Sequence, residues 1–162
     1  MAKEENNEVV LDINKGKNKI HIVLAQAYSI YFLMFLVGVF FDLFFKVRIL
    51  GFPFLVYVGI ILIFFASLLI YWAQTTSRQL KKENMSKETF SKGPYRFIRN
   101  PTYFGLFILM IGFGIMINGI FIIMATIISS ILTKFVYLKK EETILEKKYG
   151  TPYIEYKKAV KF

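Results

Sequence analysis

At 162 residues the chain has room for one domain, and 56% of it is hydrophobic, including 18 Phe and 10 Tyr, more apolar surface than a soluble domain of this size can bury. The net charge of +10 flanks apolar runs, as membrane-anchoring charges do, which points to lipid headgroups as partners and away from nucleic acid. With no cysteine the chain excludes disulfides and thiolate chemistry, and its one histidine, His21, argues against a His-based metal cluster and a Ser-His-Asp triad.

Residues 1–19 read as a polar arm, flexible or lying on a surface, with Val9, Leu11 and Ile13 hinting at a short interfacial piece. It is not a cleaved signal, because the first apolar run begins only at Ile22 and is too long. Residues 22–45 form a first span, with Asp42 near its far end, expected to pair with Lys46 or Arg48. Gly51-Phe52-Pro53 turns the chain into a second span, 52–72, which closes on the interfacial pair Tyr71-Trp72. A polar connector, 73–100, carries Arg78, Lys81, Lys82, Lys87, Lys92, Arg96 and Arg99.

Residues 102–117 are apolar but short, Asn118-Gly119 is a turn, and 120–138 run back. This pair predicts a tight helical hairpin. Lys139–Tyr149 then leaves the membrane as a helix that Gly150 stops. Thr151-Pro152 reads as an N-cap and first helical position of a last helix. On it Tyr153, Tyr156 and Val160 share a face, set on the membrane surface or against the connector. The expected fold is therefore all-α: an integral membrane domain of about four spans, residues 20–162, ending in cytoplasmic helices 139–162. The basic residues set its orientation. Four precede the first span, seven lie in the connector and eight follow from Lys134, whereas the opposite loops hold only Lys46 and Arg48. Both termini and the connector are thereby expected to face the cytoplasm.

Two stretches carry the candidate chemistry. In Arg99-Asn100-Pro101, Pro101 fits the first turn of a helix with Asn100 as its N-cap. A helix start beside a guanidinium is also a place for a carboxylate or phosphate. Tyr95 and Tyr103 bracket this turn; they are either interfacial belt residues or rings that stack on a purine or face a cation. Glu141 and Glu142 follow the last span. They either pair with lysines at helical spacing or bind an ammonium, bind ribose hydroxyls, or accept a proton. Gly105, Gly112 and Gly114 read equally as close helix packing and as room for a cofactor.

Taken in order, Gly93 and Tyr95, Arg99-Asn100-Pro101, Tyr103 and Gly105, an apolar hairpin, Glu141-Glu142, Tyr149-Gly150 and then Tyr153 and Tyr156 resemble the isoprenylcysteine carboxyl methyltransferase and phospholipid methyltransferase group of membrane enzymes. The resemblance covers about residues 70–162. It implies S-adenosylmethionine as cofactor and a lipid-like acceptor that enters from the bilayer, either a prenylcysteine-like carboxylate or a phospholipid amine. By that resemblance Arg99, Asn100 and Glu142 are the catalytic set. Arg99 and the helix start at Asn100 and Pro101 hold the cofactor carboxylate, and Glu141 or Glu142 its amino group or ribose. Tyr95, Tyr103 and Tyr153 enclose its adenine or sulfonium, beside Gly105. The group's carboxyl methyltransferases generally have His where this chain has Asn100, which weakens the carboxylate alternative. The rival classes are a small four-helix transporter, which needs an ionisable residue deep in a span, and a membrane adaptor, which needs no such ordered set.

Overall fold

The computed structural model describes residues 2–45, 47, 52–79 and 90–160, without the side chains of 2–21, 78 and 79. His21, Lys46, Arg48 and the connector stretch 80–89 thus lie outside the described side chains. Helix α1 (Ala2–Phe45) is followed by α2 (Phe54–Gln79), a 3-10 turn (Gly93–Arg96), α3 (Pro101–Met116) and α4 (Ile120–Leu132). A π-helical segment (Thr133–Leu138) carries α4 into α5 (Lys139–Tyr149), and α6 (Thr151–Ala159) ends the described chain.

The protein is an all-α membrane protein. Three helices are long and apolar enough to cross a bilayer: Ile22–Phe45, Phe54–Ser77 and the continuous rod Ile120–Tyr149. Helix α3 has 16 residues; at ~1.5 Å each it is about 24 Å long, short of a ~30 Å hydrocarbon core. The expected four spans are therefore three long helices and one short one. Large apolar side chains such as Phe64, Phe65 and Tyr57 are exposed on the outer face of α2, a surface suited to lipid.

Two boundaries differ from the sequence reading. Helix α1 runs unbroken from Ala2, so the polar arm is helical and continuous with the first span. Its single early glycine, Gly16, is tolerated in a helix at a cost of about 1 kcal/mol. Helix α2 passes Trp72 and continues to Gln79, because its polar end is satisfied locally: the Thr75 hydroxyl donates to the Tyr71 carbonyl at 2.9 Å.

Packing follows the glycines. Helix α2 lies along α3, α1 lies along α4, and α3 and α4 pair with each other, so the hairpin separates the first two helices. A Cβ at Gly59 would sit 2.6 Å from the Gly112 carbonyl and from Met116 Cβ. One at Gly38 would sit 2.8 Å from Ile122 Cα. Small residues here let backbones approach closely where no hydrophobic effect drives helices together. The hairpin turns at Asn118, whose φ of 61° is a left-handed conformation that asparagine tolerates.

The tip of the hairpin is fastened to α1. The Asp42 carboxylate accepts from the Phe121 N–H at 3.1 Å and the Ile122 N–H at 2.9 Å, capping α4 from 79 and 80 residues away. A Cβ on Gly119, the N-cap position itself, would collide with Asp42 Oδ2 at 2.5 Å. The acid expected to pair with a surface lysine or arginine is thus the donor-satisfying cap of a helix start in an apolar layer.

At the other end of the molecule α6 packs against the connector. Phe90, Tyr153, Tyr156 and Val160 form a buried cluster, with Phe90 edge-on to Tyr149 and Tyr153 at 5.1 and 5.6 Å. The cap of α6 is Gly150 and not Thr151. Its φ of 63° with ψ of −138° is a conformation open to glycine alone, and it turns the chain between α5 and α6 in one residue.

Candidate active site

Pro101 fixes the start of α3 and is fully buried, which aims the Arg99-Asn100 step at the start of the helix. Asn100 occupies the N-cap position, yet its side chain makes no capping hydrogen bond and lines a cavity instead. Arg99 meets α5: its Nη1 lies 2.9 Å from Glu142 Oε1. Lys157 of α6 approaches the second oxygen at 2.7 Å and also reaches Glu146 at 2.8 Å. Glu142 is 8% exposed, so this carboxylate is held out of water by two cations from two other segments. The pairing is across the fold and not along the helix with the neighbouring lysines. Both glutamates raise the Lys157 pKa above the ordinary 10.5, Glu142 most.

Glu141, one residue earlier, faces α3. Its Oε2 accepts from the Tyr103 hydroxyl at 3.0 Å, and the Tyr103 ring tilts against Tyr28 of α1 with centroids 6.1 Å apart. Tyr95 is placed by its backbone as well as its ring: its carbonyl accepts from the Tyr156 hydroxyl at 2.8 Å. Burial, and next the nearby Glu142 and Glu141, push the Tyr153 pKa up, so its phenol stays protonated.

A cavity of about 620 Å³ opens beside this cluster. Of the residues singled out in the sequence, Arg99, Asn100 and Tyr103 line it. Glu141 and Glu142 stand behind them, joined through the Tyr103–Glu141 and Arg99–Glu142 contacts, while Tyr153 and Tyr95 belong to the aromatic cluster around Phe90. Gly105 is set apart: a Cβ there would lie 2.5 Å from Ile70 Cγ1, so its bareness seats α3 on α2. The sequence reading missed Tyr31 of α1 and Phe107, Ser130, Thr133, Lys134 and Leu138 on the same walls. Tyr31 and Ser130 are ordinary span residues in sequence. The π-helical opening at Thr133–Leu138, which sets the last three on this wall, has neither proline nor glycine to announce it.

A multi-spanning helical protein with a buried ion cluster beside an apolar cavity is thereby defined. A family model, phospholipid methyltransferase, matches residues 53–152, more than half of the chain. The chain belongs to the phospholipid methyltransferase family, whose membership implies methyl transfer in a membrane. The match begins at the start of α2, earlier than the motifs alone suggest, and stops just before Tyr153. Searches of curated proteins and of solved structures returned no match.

Proposed function

We propose that the protein transfers a methyl group from S-adenosylmethionine to a lipophilic acceptor reached from the bilayer. The observation that carries this is the ion pair between partly buried Arg99 and buried Glu142, set at a helix start and shared with an apolar cavity through Arg99. A fixed cation and a fixed anion side by side complement the carboxylate and ammonium of an amino-acid-like ligand. When bound, the cofactor supplies an electrophilic methyl on a sulfonium. Arg99 and the first turn of α3 would hold its carboxylate, and Glu142 or Glu141 its ammonium or ribose hydroxyls. Tyr95 and Tyr153 supply aromatic surface next to these charges. What the chain contributes to the reaction is position and the exclusion of water, since in-line displacement needs the two partners held close and dry.

The acceptor is either a phospholipid amine or a prenylcysteine-like carboxylate. An amine has a proton to give up, and Glu141 is a carboxylate one hydrogen bond behind the cavity wall, through Tyr103. The excess of basic residues around the cluster supports a cytoplasmic site and cytoplasmic termini by the positive-inside rule. Transport is disfavoured by Asp42, the acid inside an apolar run, whose oxygens are committed to capping α4.

Calorimetric titration of the detergent-purified protein with S-adenosylhomocysteine tests the reading. Wild type binds saturably, and Glu142→Gln and Arg99→Leu each weaken binding at least about tenfold, the value of one charge-assisted contact. Full affinity in both variants, with unchanged thermal unfolding, overturns the assignment.

A further inference from the structure

Lys157 of α6 has no part yet in the proposed reaction. It lies beyond residues 53–152, the stretch that matches the family, and its side chain reaches back across the Gly150 turn to α5. The buried face of α6 aims it. Tyr153, Tyr156 and Val160 pack with Phe90, and the Tyr156 hydroxyl donates to the Tyr95 carbonyl at 2.8 Å. With that face fixed, the next position in the chain is left alongside α5. There Glu142 and Glu146 stand one helical turn apart, a spacing at which two carboxylates repel. The Lys157 ammonium sits between them, 2.7 Å from Glu142 Oε2 and 2.8 Å from Glu146 Oε1. An ammonium carries three donors, so one nitrogen serves both acids.

The two oxygens of Glu142 are held differently. Oε1 is buried and meets Arg99 Nη1 at 2.9 Å as an ion pair, without the geometry of a hydrogen bond. Oε2 belongs to Lys157. Of these two cations, Arg99 lines the cavity and Lys157 does not. When Arg99 turns to a ligand carboxylate, Lys157 is the cation left on Glu142. A buried carboxylate stripped of every cation is strongly disfavoured. Its terminal torsion is also broad, so a single contact fixes its plane poorly.

We propose that Lys157 is a positioning residue of the methyl-transfer site: anchored by Glu146, it holds the Glu142 carboxylate by Oε2 and leaves Oε1 for the ammonium of the amino-acid-like ligand, while Arg99 takes that ligand's carboxylate. The role rests on the methyl-transfer reading. Lys157 touches no ligand in this arrangement and acts only through Glu142. Glu146 is the outer anchor that keeps the lysine stem from swinging into solvent, since that side chain is 34% exposed against 11% for Glu142.

The test is calorimetric titration of the full chain in detergent with two ligands, S-adenosylhomocysteine and methylthioadenosine. The second keeps the nucleoside and the sulfur but lacks the amino-acid end. Lys157→Met is expected to weaken S-adenosylhomocysteine about tenfold and to leave methylthioadenosine within about twofold, and Lys157→Arg keeps most of the affinity. In a Glu142→Gln background Lys157→Met adds less than about twofold, because the two side chains act as one unit. Lys157→Gln repeats the comparison should the methionine variant unfold. Equal weakening of both ligands makes Lys157 a fastening of α6 and overturns the positioning role. So does undiminished affinity for S-adenosylhomocysteine in Lys157→Met, or a loss that adds in full to that of Glu142→Gln. Failure of S-adenosylhomocysteine to bind wild type overturns the methyl-transfer reading and the role of Lys157 with it. Binding to wild type followed by any of the three preceding results overturns the role of Lys157 alone.

Discussion

At the scale of single residues the charge on Glu142 organises the site. It sits between Arg99 and Lys157, two cations that no local spacing pairs with it. The sequence made Arg99 and Glu142 visible because each ends a polar stretch against hydrocarbon. Lys157 was hidden because its partner lies on another helix, and residue spacing reads only neighbours on the same one. Lys157 titrates above its ordinary 10.5, so its contribution is complete below the unfolded lysine value and is lost as pH rises through the folded one. Thermal stability is therefore expected to fall at strongly alkaline pH with a component that Lys157→Met removes; an unchanged alkaline limb in that variant refutes the link. Asp42 makes a second residue-scale prediction. Asp42→Ala strips the α4 cap and is expected to cost about 1–2 kcal/mol, with Asp42→Asn costing less because an amide oxygen still accepts. Reversible unfolding in mixed detergent measures both, and equal losses in the two variants contradict the capping role.

At the scale of elements the helices were legible wherever apolar runs end in polar punctuation: Asn118-Gly119 and Gly150 stand at the turns they predict. The π-helical segment was not legible, since Thr133–Leu138 reads as ordinary helix with no proline or glycine to mark the widening. The glycines were legible as small residues but not by task, and the structure separates two kinds. Gly59 is spatial: a methyl group there meets the α3 backbone, so Gly59→Ala is expected to cost about 1–3 kcal/mol by pushing α2 off α3. Gly150 is conformational: nothing lies within 4 Å of a Cβ there, so the comparable loss expected of Gly150→Ala comes from backbone strain alone. Deuterium exchange distinguishes them. Gly59→Ala loosens α2 and α3, Gly150→Ala loosens α6, and a shared pattern rules out the distinction.

At the scale of the whole molecule, composition gave the membrane class, and the charge bias gives an expected orientation. The order of the helices did not follow from either. Placing α3 and α4 between α1 and α2 depends on Gly38 and Gly59 finding Ile122 and Gly112, contacts between distant stretches that no local pattern encodes. Because the chain contains no cysteine, single introduced cysteines report sidedness cleanly. Cysteine at Lys158 is expected to resist an impermeant thiol reagent applied from outside the cell and cysteine at Arg48 to react; the reverse pattern inverts the molecule. The Asp42 cap also has a meaning for biogenesis. During synthesis α4 emerges long after α1, and its first N–H groups have no partner in hydrocarbon until Asp42 lies alongside. The first helix therefore serves as an internal docking post for α4, whose start is fully hydrogen-bonded only once α1 lies beside it.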